Sequence, residues 1–143
     1  MSPSTPAPEF NYPRPVRFAD CDPAGIVFYP RYFEMLSEVT EEWWRHMGLP
    51  WTELVGTRQL GTPISHLETQ FLRPSLLGDL ICFRLRVESL GRSSLRLQCR
   101  VLGPEGEERM HLRQRQVCFS LASRQAIAWP SDLKDAILKF QSG

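Results

Sequence analysis

Two carboxylates, Asp20 and Asp22, stand in the run Asp20-Cys21-Asp22-Pro23-Ala24-Gly25, which Pro23 and Gly25 mark as a loop. An apolar stripe of helical period begins six or seven residues after Asp22, so the loop can fold back over the N-terminus of that helix. A helix N-terminus offers unpaired backbone N–H groups and a partial positive charge. It can polarise a carbonyl and hold the oxyanion formed when that carbonyl is attacked. A carboxylate facing the same carbonyl can attack it, or can activate a water. Acyl transfer needs those two parts. Spacing alone also permits a plainer reading, in which Asp20 or Asp22 closes the loop through an Asx turn.

Other reactive side chains are few. Cys21 adjoins Asp22, but no histidine lies nearby in sequence to activate it, so it is not read as a nucleophile. His66 and Glu68 alternate on a predicted strand and share one face. They read as a sheet-face pair that can also line a pocket. His46, near the end of the predicted helix, suits the helix dipole. Cys21, Cys82, Cys99 and Cys118 include no CxxC pair, and no His/Cys cluster has zinc spacing. No metal and no cofactor is expected. Trp43, Trp44 and Phe33 read as core.

The elements that must position the loop are set by periodicity. Val16-Arg17-Phe18 alternates and predicts a short strand. Over 29–47, Phe33, Leu36, Val39, Trp43 and Met47 recur at spacings of three and four, with Glu34, Glu38, Glu41 and Glu42 opposite. Arg45 stands four residues after Glu41, and Gly48 with Pro50 stops the helix. Strands are predicted at about 60–72, 79–89, 94–102 and 110–123. In the last of these the parity shifts. Met110 and Leu112 share one face, and Val117, Phe119 and Leu121 share the other. Either a bulge intervenes, or the outward face becomes an interface. A short C-terminal helix comes next, with Ser131 as its cap. Residues 1–12 are expected to be disordered, and 13–143 to form one α+β domain with a single antiparallel sheet covering a long helix.

Composition narrows the partners. The chain has 143 residues, is 42% hydrophobic and carries a net charge of +1, so a general attraction to nucleic acid is not expected. Fifteen of its seventeen basic residues are arginine, and eight of those lie between Arg84 and Arg115. That run reads as a solvated strand face; the sharper reading is an anion site, since Arg forks suit phosphates. The N-terminal stretch has no signal-peptide pattern and no run is long enough to span a membrane, so a reduced, cytoplasmic protein is expected.

The segment Asp20-Cys21-Asp22-Pro23-Ala24-Gly25-Ile26-Val27-Phe28-Tyr29-Pro30-Arg31-Tyr32-Phe33 resembles the signature of the 4-hydroxybenzoyl-CoA thioesterase family, in its Asp-dependent branch. The resemblance continues in Gly61-Thr62-Pro63-Ile64 and in Phe71-Leu72-Arg73-Pro74-Ser75-Leu76-Leu77-Gly78-Asp79. It implies a hotdog fold and an acyl-CoA thioesterase, with a 4-hydroxybenzoyl-like acyl group as one option. It makes Asp22 the catalytic carboxylate, acting as nucleophile or general base, and leaves Asp20 structural. Tyr29 matches the residue whose backbone N–H polarises the thioester carbonyl, and Gly25 and Ile26 fall in the turn that admits substrate. Thr62, His66 and Arg92 are the substrate-binding candidates. The family carries a denser basic cluster around Gly91-Arg92-Ser93-Ser94, of which only Arg92 remains here. The resemblance also implies a homodimer or homotetramer with sites at the subunit boundary. Its rivals are a non-hydrolytic acyl-CoA or acyl-carrier binding module, and a thioester dehydratase. The second usually needs a histidine beside an acid, and the Asp22 loop has none.

Overall fold

The computed structural model describes residues 7–143. Its centre is helix α1, Tyr29–His46, whose stripe of Tyr32, Met35, Leu36, Val39, Trp43 and Trp44 is buried. One face of an antiparallel sheet covers that stripe. The sheet has five strands in the order β1-β4-β5-β6-β3. They are β1 (Phe10–Pro15), β3 (Ile64–Phe71), β4 (Leu80–Leu90), β5 (Ser94–Leu102) and β6 (Glu108–Val117). Strict alternation puts Ile81, Phe83, Leu85, Leu95, Leu97, Cys99, Val101, Met110 and Leu112 inward against the helix. The arginines of these strands face outward, as a period of two requires. A smaller sheet pairs β2 (Leu60–Gly61), β7 (Phe119–Ser120) and β8 (Gln125–Ala126), and helix α2 (Ser131–Ser142) packs Leu133 and Ile137 into the same core. A π-helical turn at Thr52–Thr57 buries Leu54. Among the described residues no helix is long and apolar enough to cross a membrane.

Several sequence expectations change. The expected disorder through residue 12 is not found at its C-terminal end, since Phe10–Pro15 is the edge strand β1; residues 1–6 of that expectation lie outside the described residues. Phe10 and Tyr12 gain their order by packing on the core from one side of the strand. Pro13 and Pro15, two apart, have no N–H to donate, which suits an edge. The strand predicted at Val16–Phe18 is instead a connection, and Phe18–Asp20 is a 3-10 turn. The predicted strand 60–72 divides into β2 and β3, and 110–123 into β6 and β7. The parity shift is not a change of face: Gln114, Gln116 and Cys118 continue the inward series of Met110 and Leu112, and all three are buried. Arg45 pairs with Glu42, three residues back, rather than with Glu41. Ser131 does not cap α2. It is the first helical residue after Pro130, and no side-chain cap bond forms. Asp132 in that first turn instead pairs with Arg58.

Two ion clusters hold the Asp20–Gly25 loop to the sheet. Arg14, at the end of β1, donates to both oxygens of Asp20, at 2.8 and 3.3 Å, and the Arg17 N–H donates to Asp20 Oδ2 at 2.9 Å. On the other side, Arg109 donates to Pro74 O at 3.0 Å, Ser75 Oγ at 3.2 Å and Asp79 Oδ2 at 2.9 Å, with Glu107 as a further partner. That fixes the turn between β3 and β4, against which the loop pairs. Arg109→Leu removes the guanidinium from the buried Ser75 hydroxyl and leaves the Asp79 carboxylate with the Leu76 N–H alone. The expected cost is about 2–4 kcal/mol, read as a lower urea midpoint at unchanged slope.

Burial by itself would push the Asp20 carboxyl up, but the Arg14 guanidinium and the Arg17 N–H outweigh it and hold the carboxyl below its usual range. A depressed native pKa adds stability that is fully present above the unfolded pKa of about 3.9 and is lost as pH falls through the native value. Urea unfolding of wild type and Asp20→Asn should therefore differ by a constant amount from pH 7 to about pH 5, and the gap should close below about pH 4. A gap that stays constant down to acid pH would show that the ion pair does not stabilise the fold.

Candidate active site

The loop closes on Asp22. Its backbone N–H donates to Ile26 O at 2.9 Å, and the Gly25 N–H returns to Asp22 O at 2.9 Å. Gly25 has φ +78, a left-handed conformation that a side chain would strain. The Ala24 N–H donates to Asp22 Oδ1 at 2.8 Å. So the Asx turn expected from the plainer reading is present, and it engages one carboxylate oxygen. Oδ2 has no hydrogen-bond partner among the described residues. Asp22 is half-buried. One oxygen orients the group and the other is unengaged.

The loop then runs into α1. Cys21 bridges Val27, Ile26 bridges Leu76, and the Val27 N–H donates to Ser75 O at 2.9 Å. The Phe28 N–H donates to Asp20 O at 2.9 Å, which seats the helix start on the turn before Asp22. In the first turn of α1, Pro30 has no N–H and the Arg31 N–H is taken by Phe28 O at 2.8 Å. Tyr29, the first helical residue, has no intrahelical acceptor, and its N–H meets no backbone oxygen among the described residues. Phe28 provides no side-chain cap. An anionic or polarised oxygen placed there would receive the Tyr29 N–H and the positive end of the helix dipole. Beside it is an apolar cavity of about 250 Å³, lined by Ile26, Val27, Tyr29, Tyr32, Phe71 and Leu72 among others. The rings of Tyr32 and Phe71 lie 6.0 Å apart between centroids. Cys21 is a poor nucleophile here, since desolvation and then the charges of Asp20 and Asp22 hold its thiol above its usual value.

The sequence candidates divide into two groups. Asp22, Gly25, Ile26 and Tyr29 come together at the loop. Thr62, His66 and Arg92 lie at the other end of the sheet. Thr62 is half-buried between β2 and β3, beside Pro63, whose carbonyl accepts the Val117 N–H. His66 is exposed on the outer sheet face, with Nε2 2.9 Å from Glu68 Oε1, the sheet-face pair expected. Arg92 comes after β4, whose eleven residues span roughly 33 Å at about 3.3 Å per step. The Asp22 loop lies at the Leu80 end of that strand and Arg92 beyond the Leu90 end. Arg92 borders a groove of about 640 Å³ that Trp129, Lys134 and Leu138 also line. Sequence reading does not find Arg14 or Arg109. The alternation Phe10-Tyr12-Arg14 holds the signal for the first; nothing local ties Arg109 to a turn thirty residues earlier.

The family model described as the thioesterase-like superfamily matches residues 16–137. A 1,4-dihydroxy-2-naphthoyl-CoA hydrolase from Thermosynechococcus vestitus is 30% identical over 129 residues, covering 90% of this chain and 88% of that protein. The structure of 4-hydroxybenzoyl-CoA thioesterase from Pseudomonas sp. strain CBS-3 superposes with a TM-score of 0.82 at 28% identity, covering 91% of this chain and 99% of that one. An aspartate-to-asparagine variant of 4-hydroxybenzoyl-CoA thioesterase, crystallised with 4-hydroxybenzoyl-CoA, superposes at 0.83 with 26% identity and covers 92% and 99%. With its helix-and-sheet hotdog architecture and its match across most of its length, the chain belongs to the thioesterase-like superfamily and is an enzyme of the thioester-hydrolase class.

Proposed function

We propose that this chain hydrolyses an acyl-CoA thioester to a carboxylic acid and free coenzyme A, with Asp22 as the catalytic carboxylate. The observation that carries the reading is the pairing of an unengaged Asp22 Oδ2 with the uncapped Tyr29 N–H at the start of α1. A thioester carbonyl bound with its oxygen at Tyr29 gains positive character at carbon as the N–H and the helix dipole stabilise the developing oxyanion. Asp22 then acts in one of two ways from the same position. As nucleophile it bonds to the acyl carbon, the C–S bond breaks, coenzyme A leaves as thiolate, and water opens the anhydride. As general base it takes a proton from a water that attacks instead. The aromatic lining at Tyr32 and Phe71 supports an aromatic acyl group, the kind named in the relatives. Dehydration has less support, because His66 is held by Glu68 away from the Asp22 loop.

The reading includes a homodimer formed through β3, and a homotetramer is open to pairs of such dimers. Strand β3 is a sheet edge with Ile64, Leu67 and Phe71 exposed on its inner side. The opposite edge, β1, is blunted by its prolines. Antiparallel pairing of two β3 strands would set the Ile64 end of one copy beside the Phe71 end of the other. Arg92, far from Asp22 in its own subunit, would then approach the partner subunit's Asp22, and with Lys134 could receive the coenzyme A phosphates.

Asp22→Asn should lower kcat roughly 10²–10⁴-fold across a panel of aromatic, short-chain and long-chain acyl-CoAs, with an unchanged melting curve. A variant of near-native kcat would sink the assignment. Arg92→Ala should raise KM for acyl-CoA by roughly tenfold or more, as loss of a charge-assisted bond does, with kcat nearly unchanged. The same variant should act normally on a pantetheine thioester that lacks the nucleotide. Light scattering on the wild-type protein at micromolar concentration should give a dimer or a multiple of it; a monomer would remove the basis for a shared site.

A further inference from the structure

Helix α1 supplies more than the Tyr29 N–H. Two and a half turns after Tyr29, roughly 13 Å by helical rise, stands Glu38. Its carboxylate meets two side chains of β1. The Tyr12 hydroxyl donates to Glu38 Oε2 at 2.8 Å, and Arg14 Nε lies 3.4 Å from the same oxygen. The other two nitrogens of the Arg14 guanidinium go to the two oxygens of Asp20. Asp20 accepts the Arg17 N–H on its side chain and the Phe28 N–H on its carbonyl. Asp22 is two residues further on, and Phe28 is the residue before Tyr29. The contacts Tyr12–Glu38–Arg14–Asp20 therefore leave α1 at its middle and return to α1 at its start. They close a ring that joins the Asp22 loop to the same helix whose first N–H faces it.

Stability does not account for Glu38. Its side chain is 43% exposed, and an ion pair that open to water adds little to folding. Arg14 keeps both bonds to Asp20 without it, so the loop stays folded. What Glu38 adds is aim. A guanidinium held at Asp20 alone can pivot on its long, flexible side chain. With Nε held by Glu38 as well, its plane is set from two sides, and Asp20 is referred to the helix axis. Aim matters to a reacting carboxylate far more than to a fold. A misplacement of about 1 Å, caused from a distance, costs roughly a hundredfold in rate.

We propose that Glu38 is a positioning residue of the thioesterase reaction: through Arg14 and Asp20 it sets where the Asp22 carboxylate stands relative to the Tyr29 N–H. It touches neither the substrate nor the reacting atoms. This rests on the thioesterase reading above.

The test uses the full chain and an acyl-CoA that wild type cleaves. Glu38→Ala removes the acceptor. Glu38→Gln is nearly isosteric and keeps an oxygen for Tyr12 and Arg14, so it stays informative if the alanine variant folds poorly. Glu42→Ala is the control, since it breaks a surface ion pair with Arg45 one turn further along the same helix. Glu38→Ala should lower kcat roughly tenfold or more, with KM changed by less than about twofold and the melting curve unmoved. Glu38→Gln should recover most of the rate, and Glu42→Ala should match wild type. In an Asp22→Asn background Glu38→Ala should cost nothing further, because the group it aims is gone. A kcat for Glu38→Ala within about twofold of wild type overturns the proposal. So does a loss that tracks a lower melting temperature, or one that adds in full to that of Asp22→Asn; either makes Glu38 a stabilising residue only. Wild type and Asp22→Asn by themselves judge the thioesterase reading. If wild type cleaves no acyl-CoA, or Asp22→Asn keeps its rate, that reading falls and this inference with it.

Discussion

The structure depends on one constraint: an 18-residue helix with a broad apolar stripe has a single sheet face available to cover it. Trp43, Trp44, Met35, Leu36 and Val39 on the helix, and Ile81, Phe83, Leu85, Leu95, Leu97 and Val101 on the sheet, are almost wholly removed from water. Each such side chain contributes about 1.5–3 kcal/mol by transfer, so the helix axis cannot slide or roll over the sheet without large loss. The start of α1 is therefore placed as firmly as its middle. Its uncapped first turn, with the Tyr29 N–H left without an acceptor among the described residues and Pro30 offering no donor, becomes a fixed electropositive point.

The Asp22 loop is held to that point by polar contacts around its rim. Arg14 and Arg17 seat Asp20 from the β1 side, and Arg109 clamps the turn at Pro74, Ser75 and Asp79 from the β6 side. The loop pairs its backbone with that turn at Ile26 and Val27. Asp20 and Asp22, two residues apart, thus take different work. Asp20 is almost fully engaged by donors and stays charged as a structural anchor. Asp22 gives one oxygen to the Asx turn and keeps the other free. The structural and chemical readings of the same carboxylate are complementary, since an oriented oxygen is worth more to catalysis than a mobile one.

The sheet is finished on one edge and unfinished on the other. Prolines close β1, while β3 presents apolar side chains and unpaired backbone groups. The residues that gather at the Asp22 loop and those at the Arg92 end are separated by the length of β4. Gln114 and Gln116, buried on the inner face of β6 beside β3, interrupt the apolar core toward that edge.

By itself the sequence determined the features that arise from local periodicity and turn chemistry. Helix α1 is legible within one residue, because its stripe repeats over five turns and Gly48 stops it in a left-handed conformation. Strands β4 and β5 are legible from strict alternation, and the Asp22 loop from Pro23 and Gly25. Tertiary structure decided the rest. Strand β1 is hidden because its short, proline-interrupted pattern becomes a strand only when β4 supplies partners. The facing of β6 is hidden because polarity in a strand reads as exposure, whereas Gln116 hydrogen-bonds to Gln114 and Gln114 to Thr40 inside. Ion pairs across thirty residues, such as Arg109 with Asp79, have no period to betray them. The distance between Arg92 and Asp22 is likewise invisible, for sequence spacing says nothing of which end of a strand a turn occupies until the sheet is assembled.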